Sequence, residues 1–326
     1  MPLITSSYKS SPFYFNGHLE TILPGIFRKV NNVHYTRERI HTPDDDFLDL
    51  DWIKNGSKKL VIISHGLEGS SDRPYMLGMA KIFANHGYDV LAWNFRGCSG
   101  EINHQLRFYH SGATDDLHTV LQHACAHDYE QINMIGFSLG GNMTLKYLGE
   151  QKDNLAKQVN KAVVYSVPLN LHGSSVQISK PENILYSKRF LRNLKKKIKQ
   201  KALHLPDQLD KKGIAKINSL VGFDDRYTAP IHGFKDALDY YHNCSAIKFV
   251  DDIKIPTLIV NALNDSFLSD NCYPYEQLEG HPLVYLETPK RGGHCGFPGT
   301  NKDGQYWSET RALEFIQHEV EEVANR

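Results

Sequence analysis

Apolar and polar positions alternate along this chain in blocks of two kinds. Short, nearly continuous apolar runs occupy residues 59–64, 89–95, 132–137, 161–167, 256–263 and 283–288. Runs of this kind suit strands buried on both faces of a parallel sheet. Between them, residues 74–85, 113–127, 143–150 and 307–323 read as helices, the first opened by a proline and the last amphipathic. Residues 33–40 and 47–52 alternate apolar and polar residues, with Pro43-Asp44-Asp45-Asp46 as a turn between them, and predict a leading antiparallel hairpin. Strands alternating with helices at this spacing predict an α/β fold, a mostly parallel central sheet with helices on both faces. Right-handed crossovers then place the loops after the strands on one edge, where ligands bind.

The rhythm breaks once. Residues 169–255 are too long for one crossover, and residues 169–235 read as an inserted, mostly helical cap. The expected organisation is an arm at 1–29 that packs on the body, a core at 30–168 and 236–326, and the cap at 169–235. Residues 188–201 of the cap are rich in lysine and arginine, with Phe190, Leu191, Leu194 and Ile198 on one helical face. The basic face is expected to point outward, toward water or anionic headgroups. Residues 12–28 are aromatic-rich and read as irregular.

Composition narrows the function. Lys+Arg and Asp+Glu are both 37 in 326 residues, so the formal charge is zero, which argues against a nucleic-acid binder. The five cysteines form no C-x-x-C pair and are odd in number, as for free thiols in a reducing compartment. The N-terminal segment lacks the apolar core of a signal peptide, and no apolar run approaches the roughly 20 residues of a membrane span. A soluble, cytoplasmic protein is expected, with at most weak peripheral membrane contact through the basic cap helix. Nothing in the sequence speaks to oligomeric state.

The candidate chemistry centres on Gly136-Phe137-Ser138-Leu139-Gly140, a G-x-S-x-G run between a strand and a helix. In that context the motif is a nucleophile elbow, a sharp turn that lifts the serine Oγ clear of the backbone. A Cβ at position 136 or 140 would crowd the turn. Ser138 needs a base, and His294 in Arg291-Gly292-Gly293-His294, just past the last predicted strand, is the best placed of seventeen histidines. Asp265, the only acid in the turn after the penultimate strand, is the candidate for orienting it. Serine, aspartate and histidine in this order are the order of α/β-hydrolases. The backbone N–H groups of Leu67 and Leu139 are the candidate oxyanion donors. His65 reads as a brace for its loop, and Arg96, Glu101 and His110 as one polar network beneath the site.

Six segments carry a more specific likeness: Asn16-Gly17-His18-Leu19-Glu20-Thr21-Ile22, His65-Gly66-Leu67-Glu68-Gly69, Asn94-Phe95-Arg96-Gly97-Cys98-Ser99-Gly100-Glu101, Tyr109-His110-Ser111-Gly112, the elbow through Asn142, and Gly292-Gly293-His294. Through them the chain resembles the YheT-like branch of the α/β-hydrolases, whose eukaryotic relatives are abhydrolase-domain proteins acting on lipid esters. Members often carry two adjacent acids where this chain has Asn264-Asp265, so only Asp265 can serve here. The resemblance implies carboxylic-ester hydrolysis, with a small-molecule or lipid ester as the expected substrate. Ser138, Asp265 and His294 predict an acyl-enzyme route that needs no cofactor and no metal. A thioesterase or acyltransferase would use the same residues. A non-catalytic binding scaffold is the rival reading, and an intact serine, aspartate and histidine argues against it. One further pattern stands apart: His123 and His127, at i and i+4, can present two imidazoles to one metal, but no third ligand is evident in the sequence.

Overall fold

The computed structural model describes residues 3–318. The first half contains β1 (Leu3–Ile4), α1 (Gly17–Phe27), β2 (Thr36–Thr42), β3 (Asp46–Ile53), β4 (Lys59–Ser64), α2 (Pro74–Asn85), β5 (Asp89–Asn94), α3 (Thr114–Cys125), β6 (Gln131–Phe137) and α4 (Leu139–Gln151). The second half contains β7 (Val159–Tyr165), α5 (Leu171–Ile178), α6 (Ile184–His204), the short turns α7 (Leu220–Phe223) and α8 (Ala229–Ile231), α9 (Ala237–Cys244), β8 (Thr257–Val260), α10 (Tyr275–Leu278), β9 (Val284–Glu287) and α11 (Trp307–Gln317).

The strands form one nine-stranded sheet in the order β1-β9-β8-β7-β6-β4-β5-β3-β2. It is parallel except where β3 pairs with β2 and with β5. Successive side chains of a strand point to opposite faces, and β4 shows the consequence. Leu60 and Ile62 join Trp93, Met134 and Val164 in a core covered by α3 and α4. Val61 and Ile63 join Phe83, Ile135 and Tyr165 on the other face, under α2 and α11. Each such large side chain contributes about 1.5–3 kcal/mol by leaving water. Strand β6 runs through the middle, so its C-terminal end is held by neighbours on both sides.

The structure differs from the sequence expectation in several places. The leading hairpin sits at Thr36–Thr42 and Asp46–Ile53, a few residues later than the apolar alternation placed its first strand. Cross-strand ion pairs set it, Arg37 to Asp51 and Arg39 to Asp49, each 2.7 Å. Residues 17–27 are helical rather than irregular, despite Pro24 and Gly25. Helix α4 begins directly after Ser138, one turn before residue 143. Helix α3 stops at Cys125, so His127 lies beyond it. The closing helix is seen to Gln317, and residues 319–323 of the predicted span lie outside the described residues.

The segment between β7 and β8 is mostly helical. Leu191, Leu194 and Ile198 of α6 pack on Phe108, Leu209, Leu220, Phe223 and Tyr227 as a cluster separate from the two sheet cores, with Phe190 and Leu67 at its margin. Two of the lysines on α6 turn inward. Lys197 meets Glu68 at 2.8 Å, and Lys201 is buried against the Asn103 and Gln105 carbonyls. Burial brings the Lys201 pKa down to about 8. No helix among the described residues is long and apolar enough to cross a membrane.

Candidate active site

The elbow forms where β6 ends. Ser138 takes a backbone conformation of φ 53° and ψ −117° that side-chain-bearing residues rarely adopt. Its N–H is held by the Tyr165 carbonyl of the adjacent strand at 2.8 Å. A Cβ on Gly140 would meet the His65 carbonyl, and one on Gly136 would lie 2.7 Å from the Gly141 Cα. Close packing of α4 against β4 and β6 therefore explains both glycines.

The loops after β8 and β9 bring Asp265 and His294 to the same edge. His294 Nε2 lies 2.9 Å from Ser138 Oγ, and His294 Nδ1 lies 2.8 Å from Asp265 Oδ2. Asp265 Oδ1 accepts from the Phe267 N–H at 3.0 Å, which fixes the carboxylate. The Phe267 ring covers the imidazole at 4.3 Å. Burial alone would lower the His294 pKa. The Asp265 carboxylate, helped by Cys295, overrides burial and raises it above the ordinary imidazole value.

Leu67 follows β4 across the cleft, and its N–H has no acceptor among the described residues. Leu139 is the first residue of α4, whose opening N–H groups lack intrahelical partners. His65 is fully buried and neutral, its pKa lowered to about 3 by burial. Its Nδ1 faces the Gly66 carbonyl at 2.8 Å and its Nε2 accepts from the Phe95 N–H at 3.1 Å, so it ties this loop to the end of β5.

Two cavities meet at Ser138 and His294. One, of about 110 Å³, is lined by Phe108, Leu171, Ile178, Leu194 and Leu220, with Asp224 and Tyr241 at polar positions. The other, of about 190 Å³, carries Arg28, Arg73 and Arg189 together with Pro24, Tyr75 and Phe190.

Residues 59–299 match the family model described as alpha/beta hydrolase fold. The chain belongs to the α/β-hydrolase family. It is 35% identical to YheT of Escherichia coli (strain K12), a candidate esterase by its name, over 93% of this chain and 91% of that protein. It is 29% identical to the bovine phospholipase ABHD3 over 91% of this chain and 74% of that protein. These relatives place it in the YheT-like branch. Among solved structures, the Pyrococcus furiosus esterase Pf2001 shares the fold, with a TM-score of 0.57 and 20% identity over 89% of this chain and 97% of that one.

In this α/β-hydrolase the arm does more than pack on the body. Helix α1 lies against the histidine loop, where Thr21 Oγ1 accepts from the His294 N–H at 2.9 Å. The carboxylate of Glu20, wholly buried, accepts from the Gly292 N–H at 3.0 Å and from Asn264 Nδ2 at 2.6 Å. Asn264 Oδ1 in turn accepts from the Gly293 N–H at 3.1 Å. Asn264 thus bridges the arm to the loop that carries His294, next in sequence to Asp265. Sequence reasoning missed this role of Glu20, Thr21 and Asn264, although the arm motif was its signal. The hydrolase also departs from the expected network beneath the site. Arg96 pairs with Asp44, Asp46 and Asp116, Glu101 pairs with Arg39, and His110 packs on His232 and Tyr240, so the three belong to separate clusters.

Glu20→Ala is expected to lower kcat by about 100-fold with a much smaller change in KM, because ångström misplacement of a reacting group costs about that much. Glu20→Gln keeps an acceptor of similar shape and should recover most of the loss. Steady-state kinetics with thermal melts check this, and kcat within about threefold of the parent for Glu20→Ala would show that the arm does not position His294.

Proposed function

We propose that this carboxylic ester hydrolase works as a serine hydrolase through an acyl-enzyme. Ser138 Oγ attacks the acyl carbon as His294 Nε2 takes its proton. The N–H groups of Leu67 and Leu139 receive the oxyanion, and the N-terminal end of α4 favours that charge. His294 then returns the proton to the leaving alcohol. Water, deprotonated by the same ring, releases the acid and regenerates Ser138. Asp265 holds the imidazole in the tautomer that accepts from serine and stabilises its charged form. The observation that carries this reading is the continuous contact from Asp265 Oδ2 through both ring nitrogens of His294 to Ser138 Oγ, at 2.8 and 2.9 Å.

The two cavities support a substrate class. The apolar one suits an acyl chain, and the one carrying Arg73 and Arg189, with Arg28 already paired to Glu309, suits a polar or anionic alcohol portion, as in a lipid ester. The name phospholipase on bovine ABHD3 and the name monoacylglycerol lipase on a yeast relative support that class. His18 of α1 contacts Tyr186 of α6 at 3.2 Å, and Ile26, Phe27 and Leu185 stand exposed on these two helices. With the exposed Arg189 close by, this is the surface for peripheral contact with lipid. The five thiols, none in a disulfide, support a cytoplasmic location.

Residues 169–235 act in this proposal as a cap that selects the acyl chain. Leu194 supports it, because the residue belongs to the cap cluster and also lines the apolar cavity. Leu194→Asp should lower kcat/KM for long-chain esters at least tenfold more than for acetate or butyrate esters. An ester series of increasing chain length checks this, and an equal response of short and long esters would remove the cap from substrate selection.

A further inference from the structure

The two imidazoles noticed in the sequence meet a third group in the fold. Glu38 of β2 faces His123, near the C-terminal end of α3, and His127, just beyond it. One ligand atom from each of the three lies within 4.8 Å of the others, the one such grouping of metal-binding side chains among the described residues. Zinc bonds of about 2.0–2.2 Å in tetrahedral geometry require ligand atoms about 3.4 Å apart, a contraction that small side-chain rotations supply.

A second observation points the same way. The Nε2 atom of His123 is buried and has no hydrogen-bond partner, although Glu38 Oε2 approaches to 3.2 Å without hydrogen-bonding geometry. A buried ring nitrogen held only by this off-line contact is poorly satisfied, and an ion bound by both groups would satisfy it. Glu38 is also braced from outside. Its Oε2 accepts from Trp52 Nε1–H at 2.8 Å, the kind of outer contact that orients a ligating carboxylate. The Trp52 ring packs edge-on to His127 at 5.6 Å, and the two imidazoles lie 5.2 Å apart. His127 is only partly buried, so an ion has a path in and room to keep a water.

We propose that Glu38, His123 and His127 bind one divalent transition ion of the zinc type. Two imidazoles and one carboxylate favour zinc over magnesium or calcium, which prefer all-oxygen sites. The site lies at the opposite edge of the sheet from Ser138, because α3 ends where β6 begins and Ser138 follows the end of β6. An ion there takes no part in ester chemistry. It clamps the edge strand β2, paired only with β3, to α3 on the body of the sheet. Lys54, whose ammonium sits over the Trp52 ring at 4.5 Å, is a nearby charge that opposes a cation.

The test uses the full chain, free of any affinity tag and stripped with chelator, titrated with zinc chloride by calorimetry. One equivalent should bind, and His127→Ala and Glu38→Gln should each weaken binding at least tenfold. Lys54→Gln should tighten it. Zinc should raise the melting temperature of the parent and leave that of His127→Ala unchanged, and esterase kcat of the two weakened variants should match the parent. Cobalt should quench tryptophan emission in the parent, and the quenched component should be absent in Trp52→Phe. Absence of one-to-one binding, or binding of parental strength in both His127→Ala and Glu38→Gln, would overturn the proposal, and neither result bears on Ser138.

Discussion

Replacing Ser138 by alanine is expected to lower kcat for ester hydrolysis by up to about a millionfold, the order found when the nucleophile of another serine hydrolase is removed. The attacking atom is gone, and among the described residues no other hydroxyl has the His294 ring at 2.9 Å. Some rate above that of water will remain, because the oxyanion donors and the cavities still hold the substrate. The melting temperature should stay close to that of the parent. Ser138 caps α4 by position only, since its side chain makes no capping hydrogen bond, so alanine removes nothing the helix depends on. Hydrolysis of p-nitrophenyl esters and a thermal melt check both parts. Turnover within about tenfold of the parent would exclude Ser138 as nucleophile.

Asp265→Asn is expected to cost about ten-thousandfold in kcat, as the equivalent change does in the chymotrypsin-type triad. The amide can donate to His294 Nδ1, which leaves the proton on Nε2 and removes the lone pair that must accept from Ser138. The pH profile adds a signature that simple loss of packing lacks. The base must be neutral, and Asp265 raises the His294 pKa against the effect of burial. Parent activity should therefore climb with pH through a midpoint above the roughly 6.5 of free imidazole. In Asp265→Asn only Cys295 is left to oppose burial, and the residual activity should climb at lower pH. A limb that stays in place, or a kcat within about tenfold of the parent, would remove Asp265 from its role.

The parallel strands were legible because each is buried on both faces and so appears as a continuous apolar run; β4 matches its predicted span residue for residue. Helix α2 was legible for a different reason, the proline at its first position. The chemistry was legible where backbone geometry restricts residue type, at Gly136, Ser138 and Gly140. Helix α1 was not, since Pro24 and Gly25 oppose helix formation locally, and its contacts with the histidine loop lie far away in sequence. Glu20 and Asn264 are 244 positions apart, beyond any spacing argument. The start of α4 was missed for a related reason: glycine is a poor helix former, yet only glycine fits where that helix crosses β4. Lys197 and Lys201 read as solvated charge because periodicity cannot show that Glu68 and two backbone carbonyls wait beneath them. The third member of the Glu38, His123 and His127 cluster was hidden in the same way, on an edge strand far upstream.

The central claim is that Ser138 is a nucleophile activated by His294. A fluorophosphonate probe reacts covalently with such a serine and leaves ordinary hydroxyls unmodified, so intact mass before and after labelling, with the modified peptide mapped, tests the claim directly. The parent is predicted to gain one phosphonyl group, on Ser138, at a rate that falls sharply in His294→Ala. A parent that stays unlabelled under conditions that label a known serine esterase, or a label carried equally by Ser138→Ala, would contradict it.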